Sequence, residues 1–199
     1  MFRYAGFVVL VVVVSLVNGY SQTCSRELHD NRSLCTLEGK ARAGDPNAQY
    51  DLALAYENGN GVAKDYATAA KWYLQSAHHG NPASQNNLGV LYAKGYGVPR
   101  DDNQAVKWYM RSAASGFATA QNNLGFMYAN GRGVKQSDEA AVHWYRQAAN
   151  QQFGPALANL AAHYFTGRGV PKDENESARL EEMAAGQGYP PAELAVARM

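Results

Sequence analysis

The sequence predicts an all-α solenoid of helix-turn-helix repeats, on three observations. The stretch NNLGVLYAKGYGV starting at Asn86 returns as NNLGFMYANGRGV at Asn122, 36 residues later. That 36-residue register extends through Gly44, Gly80, Gly116 and Gly188, with Gln152 in the same place, and has no insertion or deletion. Within each unit, apolar and small residues recur at helical spacing. One helix pair cannot bury its apolar face alone, whereas stacked pairs share a continuous core. The chain therefore divides into residues 1–19, a capping segment 20–43, repeats 44–79, 80–115, 116–151 and 152–187, and a partial unit 188–199 that stops after its first helix.

The N-terminus comes first. Arg3 is followed by an apolar run from Ala5 to Val17. The run is short for a membrane span and suits the core of a signal peptide. Val17-Asn18-Gly19 allows cleavage before Tyr20, and a retained signal anchor is the alternative. Cys24 lacks the preceding leucine and small residues of a lipidation box. The expected location is periplasmic or secreted. In an exported chain, Cys24 and Cys35 favour a disulfide over a metal site or a nucleophile. On one straight helix they would lie about 16 Å apart. The chain must therefore reverse between them, at His29-Asp30-Asn31-Arg32-Ser33. Ser33 is expected to cap a short helix running to Ala43, docked on the first repeat. A loop this short gives roughly 3 kcal/mol in the chain-entropy picture.

Each first helix opens on cap chemistry: Asp45 with Pro46, and Asn81 with Pro82. Its buried stripe is Ala48, Leu52, Ala55 and Tyr56 in repeat 1, and Ser84, Leu88, Leu91 and Tyr92 in repeat 2. It ends at Gly59, Gly95, Gly131 or Gly167, as left-handed C-caps do. A second glycine follows two residues later, then Val62, Val98, Val134 or Val170, which turns the loop into the core. Asp65, Asp101, Ser137 and Asp173 cap the second helices. Asp101 with Gln104, and Asp173 with Glu176, resemble capping boxes. Ala69, Trp72, Tyr73, Ser76 and Ala77 mark the second buried face. Trp72, Trp108 and Trp144 are expected between units, with Trp108 touching units on both sides. The Gly-x-Gly pairs follow helices rather than strands and recur in every unit, so they are architecture rather than a phosphate loop.

These residues resemble the Sel-one-like (SLR) repeat family, cousins of the tetratricopeptide repeats. The likeness lies in the leucine-glycine-tyrosine run, the GxGV loop and the AxxWYxxAA helix, and it covers residues 44–199. Repeats 2 and 3 match closely. Repeat 1 has Ala53 for the helix glycine. Repeat 4 has Leu180 and Glu181 for Trp and Tyr, as a degenerate terminal unit would. The resemblance implies a right-handed superhelix whose first helices line a concave, protein-binding surface.

Composition narrows the function. Without residues 1–19, acids and bases balance, and no basic stripe follows a phosphate backbone, so nucleic acid is not the expected partner. His29, His78, His79, His143 and His163 show no metal-site spacing, and no nucleophile elbow is present. No catalytic residue, metal or cofactor is expected. The leading reading is an exported, non-enzymatic adaptor holding a protein in its concave groove. An immunity protein that neutralises an envelope-targeted toxic effector, such as a phospholipase, is the alternative. A hydrolase built from groups converging in the groove is the third.

The candidate site follows from helical geometry. Leu52, Leu88, Leu124 and Leu160 are the buried stripe. Two positions on, about 200° round the helix, stand Leu54, Val90, Phe126 and Ala162. With the flanking Asp51, Asn87, Asn123 and Lys94, they form the expected partner-binding ladder: Asp51, Leu54, Asn87, Val90, Lys94, Asn123 and Phe126. Val90 and Phe126 are the expected anchors, with Asn87 and Asn123 hydrogen-bonding the partner's backbone. Packing of Leu54, Val90 and Phe126 on adjacent units is the competing reading. Their varied sizes and polar flanks favour binding.

Overall fold

The computed structural model describes Cys24 and residues 31–189. The expected signal peptide, its cleavage point and nearly all of the partial unit 188–199 lie outside the described residues. Among the described residues the secondary structure is entirely helical: α1 (Arg32–Arg42), α2 (Pro46–Asn58), α3 (Tyr66–His78), α4 (Pro82–Lys94), α5 (Asp102–Ala114), α6 (Ala118–Asn130), α7 (Asp138–Ala149), α8 (Gly154–Thr166) and α9 (Glu174–Gly186). Each helix packs on its neighbours in sequence, from α1 on α2 to α8 on α9, as a solenoid requires.

The caps explain where the helices begin and end. Asp45, Asp65, Asp101 and Asp173 each accept from two backbone N–H groups of the turn they cap. Asn81 and Ser137 each accept from one. The expected capping boxes are half-formed. Asp101 and Asp173 bond the backbone of Gln104 and Glu176, but the Glu176 carboxylate turns away to Arg179, whose guanidinium offers it two charged donors. The cap of α1 is Asn31 rather than Ser33. The Asn31 Oδ1 accepts from the Leu34 N–H at 3.2 Å, and Ser33 lies inside the helix. Phe117 and Phe153 stand at N-cap positions without a side-chain cap.

The core is a chain of three apolar clusters. The first spans α1 to α4 around Leu52, Tyr73, Leu88 and Leu91. The next centres on Tyr109, Leu124 and Met127, and the last on Tyr145, Leu157, Leu160 and Leu180. Val62, Val98, Val134 and Val170 pack against these clusters as expected. Trp108 is not shared between units on both sides: it joins the cluster of repeats 1 and 2. Its ring stands edge-on to His78 at 5.7 Å. Trp144 likewise packs backwards, on the cluster that holds Val106 and Tyr109.

Polar groups recur in register inside this core. Buried Gln49, Gln85 and Gln121 donate to the carbonyls of Ala41, Ala77 and Ala113, near the end of the preceding helix, at 3.0, 3.1 and 3.3 Å. Helix-end carbonyls have no intrahelical partner, so these amides satisfy groups that stacking buries. Ser76 and Ser112 donate to the Pro46 and Pro82 carbonyls at 2.7 and 2.6 Å.

Two glycine positions are dictated by close approach. A Cβ at Gly125 would stand 2.7 Å from the Tyr145 ring and 3.2 Å from the Ala141 carbonyl, and Gly89 meets Tyr109 and Ala105 in the same way. The second glycine of the 131–133 loop sits against the preceding repeat, where a Cβ at Gly133 would overlap the Asp102 carbonyl.

Candidate partner-binding groove

A groove of about 270 Å³ opens between α4 and α6, lined by Val90, Ala93, Lys94, Asn123, Phe126 and Met127, with Tyr109 and Arg132 below. Four of the seven sequence-selected residues meet here: Val90, Lys94, Asn123 and Phe126. Asp51 and Leu54 lie one repeat away on α2, and Asn87 stands on α4 outside the lining.

The three apolar rungs are not equivalent. Leu54 is half-buried and packs on the first core cluster, and Val90 is half-buried against the cluster of Tyr109 and Leu124. Phe126 belongs to no cluster and is 45% exposed. The row passes from packing to solvent along the solenoid. Of the three rungs, Phe126 alone presents an uncovered aromatic face, the kind of surface that anchors partners.

The asparagines are tied into the stack. Asn123 Nδ2 donates to Asn86 Oδ1 at 3.0 Å, and Asn159 Nδ2 to Asn122 Oδ1 at 2.8 Å, each joining consecutive first helices. Asn87 Nδ2 donates to the Tyr73 hydroxyl at 3.1 Å, and that hydroxyl donates in turn to Glu57. The amide N–H groups of Asn87 and Asn123 expected to meet a partner's backbone thus hold the repeats in register. The reason is geometric: one residue before the buried leucine, the side chain leans towards the neighbouring repeat.

Electrostatics on the groove are set by Arg132 and Lys94. Arg132 donates to both carboxylate oxygens of Asp102, through Nε at 3.1 Å and Nη2 at 2.6 Å. Its Nη2 also donates to the Ala93 carbonyl at 3.1 Å. The Arg132 hydrogen bonds hold the Asp102 carboxyl below its ordinary range, outweighing burial. Burial pushes the Tyr109 hydroxyl up, so it stays neutral. Lys94 is exposed, with its ammonium 5.6 Å from the Tyr96 ring. On α2, burial and then the Asp51 and Glu57 carboxylates raise Tyr50.

No carboxylate, imidazole or thiol lines the groove. The lining offers apolar contact from Val90, Phe126 and Met127 and hydrogen-bonding groups on Lys94 and Asn123. Among the described residues, no group of three or more His, Cys, Asp and Glu is placed to hold a metal ion. His163 is buried, with Nδ1 2.8 Å from the Arg168 carbonyl, and thereby closes its own loop. At the N-terminal end, Cys24 and Cys35 lie with their Cα atoms 5.2 Å apart, at disulfide distance. Cys24 packs against the first core cluster. No described helix is long and apolar enough to cross a membrane.

Sequence reasoning missed Arg132 and Tyr109. The signal was present in the middle residue of each GxGV loop, which reads Asn60, Tyr96, Arg132 and Arg168. A position variable in type but fixed in place often faces a variable neighbour.

The chain is a solenoid of helical pairs with an open groove between α4 and α6. The chain belongs to the Sel1 repeat family, whose model matches residues 46–81, 82–117, 118–153 and 154–189. These units lie two residues later than a frame set on Gly44. Sel1 repeat proteins generally mediate protein–protein interaction and are typically non-enzymatic. A Sel1 repeat protein from Oxalobacter formigenes is 31% identical with a TM-score of 0.74; the alignment covers 78% of this chain and 61% of that one. Cysteine rich protein B of Helicobacter pylori is 19% identical with a TM-score of 0.51, over 68% of this chain and 96% of that one, and shares the fold. An immunity protein of Pseudomonas aeruginosa, Pa5087, is 20% identical over 80% of this chain and 75% of its own. Its TM-score of 0.45 is too low to carry an inference. No curated protein sequence matches the chain.

Proposed function

We propose that the protein is an exported, non-enzymatic adaptor that holds a partner protein in the groove between α4 and α6. The observation that carries this reading is Phe126, 45% exposed beside a cavity of about 270 Å³ and ringed by Lys94 and Asn123. Large apolar side chains left open amid polar ones are the usual anchors of protein interfaces. Phe126 and Val90 anchor the partner, Lys94 supplies positive charge at the rim, and Asp51 and Leu54 extend the surface towards repeat 1. Asn87 and Asn123 position the helices, and Asn123 offers its amide oxygen, while that of Asn87 already accepts from Asn86. Export to the periplasm or medium, with Cys24 and Cys35 oxidised, rests on the Arg3-led apolar run and on the cysteine separation of 5.2 Å.

The test is Phe126→Ala, followed by affinity capture from the cell envelope and by thermal melting. Capture lost with the melting curve unchanged supports the groove; a collapsed melting curve assigns Phe126 to the core and overturns it. Export is tested separately by intact mass. A chain beginning near Tyr20, two hydrogen atoms lighter than its reduced form, supports the reading, and a full-length chain with two free thiols overturns it.

A further inference from the structure

The second helices of repeats 1, 2 and 3 carry a tryptophan at one register position, Trp72, Trp108 and Trp144; repeat 4 has Leu180 there. In repeat 2 the indole is 6% exposed. It is bracketed by His78 of α3, edge-on at 5.7 Å, and by the Arg111 guanidinium, 4.5 Å from the ring. Around Leu180 the register equivalents of His78 and Arg111 are Asn150, at the end of α7, and Met183 of α9. Both line a cavity of about 190 Å³ between α7 and α9, floored by Leu157, Leu160 and Leu180. The cavity therefore occupies the place of the indole that repeat 4 lacks. Leucine is shorter than the tryptophan that reaches His78 of the preceding second helix in repeat 2.

The rim of this cavity is charged. Arg179 is occupied by Glu176, through two hydrogen bonds of 2.8 and 2.7 Å. Arg146 donates to the Tyr164 hydroxyl at 2.7 Å and to no carboxylate among the described residues. After Arg179, Arg146 also helps to hold the Glu176 carboxyl low, so two guanidinium groups and one carboxylate share the rim and leave it net positive. Tyr164 is the aromatic of the cavity wall, and Tyr189 lies against Gly154 at the start of α8.

We propose that this cavity receives an aromatic side chain of a protein partner, an indole above all, from a segment with a carboxylate beside the ring. The ring takes the position of the fourth tryptophan. It buries its faces on Leu157, Leu160 and Leu180 and meets the Met183 thioether, a favourable contact for an aromatic. Arg146 faces the ring and pairs with the neighbouring carboxylate. This site lies one repeat boundary away from the Phe126 groove and stands independently of it.

The experiment is isothermal titration of the protein with three N-acetylated tripeptide amides: Asp-Trp-Glu, Asp-Ala-Glu and Lys-Trp-Lys. The expected result is saturable binding of Asp-Trp-Glu, at least tenfold weaker binding of Lys-Trp-Lys, and none of Asp-Ala-Glu. Leu180→Trp fills the cavity from within, so it should melt higher than the parent and bind Asp-Trp-Glu at least tenfold more weakly. Leu180→Phe gives the same reading if the larger variant does not fold. Arg146→Gln should bring the acidic and basic tryptophan peptides to within threefold of each other. No binding by the unaltered protein overturns the proposal, as does equal binding by both Leu180 variants. Because Phe126 takes no part in this titration, the outcome does not depend on the groove reading.

Discussion

Arg132 and Asp102, 30 residues apart, form a two-pronged ion pair across the boundary between repeats 2 and 3, with contacts of 2.6 and 3.1 Å. The same register position closes the next boundary, where Arg168 meets Asp138 at 2.8 Å. At the preceding boundary it is Tyr96 that stacks on Tyr66, with ring centroids 4.9 Å apart. Each loop therefore clips onto the second helix before it, by charge or by an aromatic face, while the glycines on either side let the backbones touch.

Replacing Asp102 with Asn should lower stability at pH 7 and low salt by about 0.5–1 kcal/mol, the upper range for a partly exposed pair. The pH dependence follows from the depressed Asp102 pKa. A carboxyl lowered in the folded state stabilises above its unfolded value, near 4, and loses that contribution as pH falls through the folded value. Denaturant titrations of the two proteins should therefore converge below about pH 4, and a constant gap across that range would refute the assignment.

Gly125→Ala should destabilise despite the better helix propensity of alanine. Propensity favours the change by about 1 kcal/mol. The added methyl, however, meets the Tyr145 ring at 2.7 Å, and overpacking of this kind costs about 1–3 kcal/mol. Shrinking the opposing ring, in Gly125→Ala with Tyr145→Leu, should recover part of the loss attributable to the clash. A melting temperature raised by the single change would show that the two helices can part freely.

Gln152 has φ of 58° at the position where Gly44, Gly80 and Gly116 stand. A left-handed side chain costs about 1–3 kcal/mol, partly offset by the extra freedom glycine gains on unfolding. Gln152→Gly gives up a 3.2 Å bond from Gln187 at the surface. The net expectation is a melting temperature about 2 °C higher, which differential scanning calorimetry resolves. An unchanged or lower value would mean that the turn holds Gln152 without strain.

Trp108→Ala should cost about 3–5 kcal/mol, as large core truncations do. Because Trp108 packs on repeat 1, hydrogen exchange should show the loss first in α3 and α4 rather than in α6. Equal deprotection of α6 would place the ring between both neighbours.

The regular features were legible because they repeat. Leu52, Leu88, Leu124 and Leu160 fall in register on the buried face, and the cap aspartates and C-cap glycines act through contacts within a turn of helix. Spacing along the chain is enough to find such groups. The asparagine bridges, the buried glutamines and the Arg132–Asp102 pair were not read, although they recur as well. Each joins residues 8 to 37 apart, and nothing in the spacing says which neighbour a polar side chain will reach. Ser33 was mistaken for a cap because Asn31, two residues earlier, offers the same chemistry, and only the path of the chain selects between them.

The sequence by itself determined the repeat, its length and the two helices in each unit, because helix formation, capping and burial of a stripe are local and periodic. The tertiary structure decided which of the apolar rungs faces solvent. Leu54, Val90 and Phe126 share one register position. Leu54 and Val90 are drawn into the core clusters beside them, while Phe126 stands clear of these and is left 45% exposed. It also decided that a cavity of about 190 Å³ lies beside Leu180, because a cavity is a property of both walls and only one of them is written at position 180.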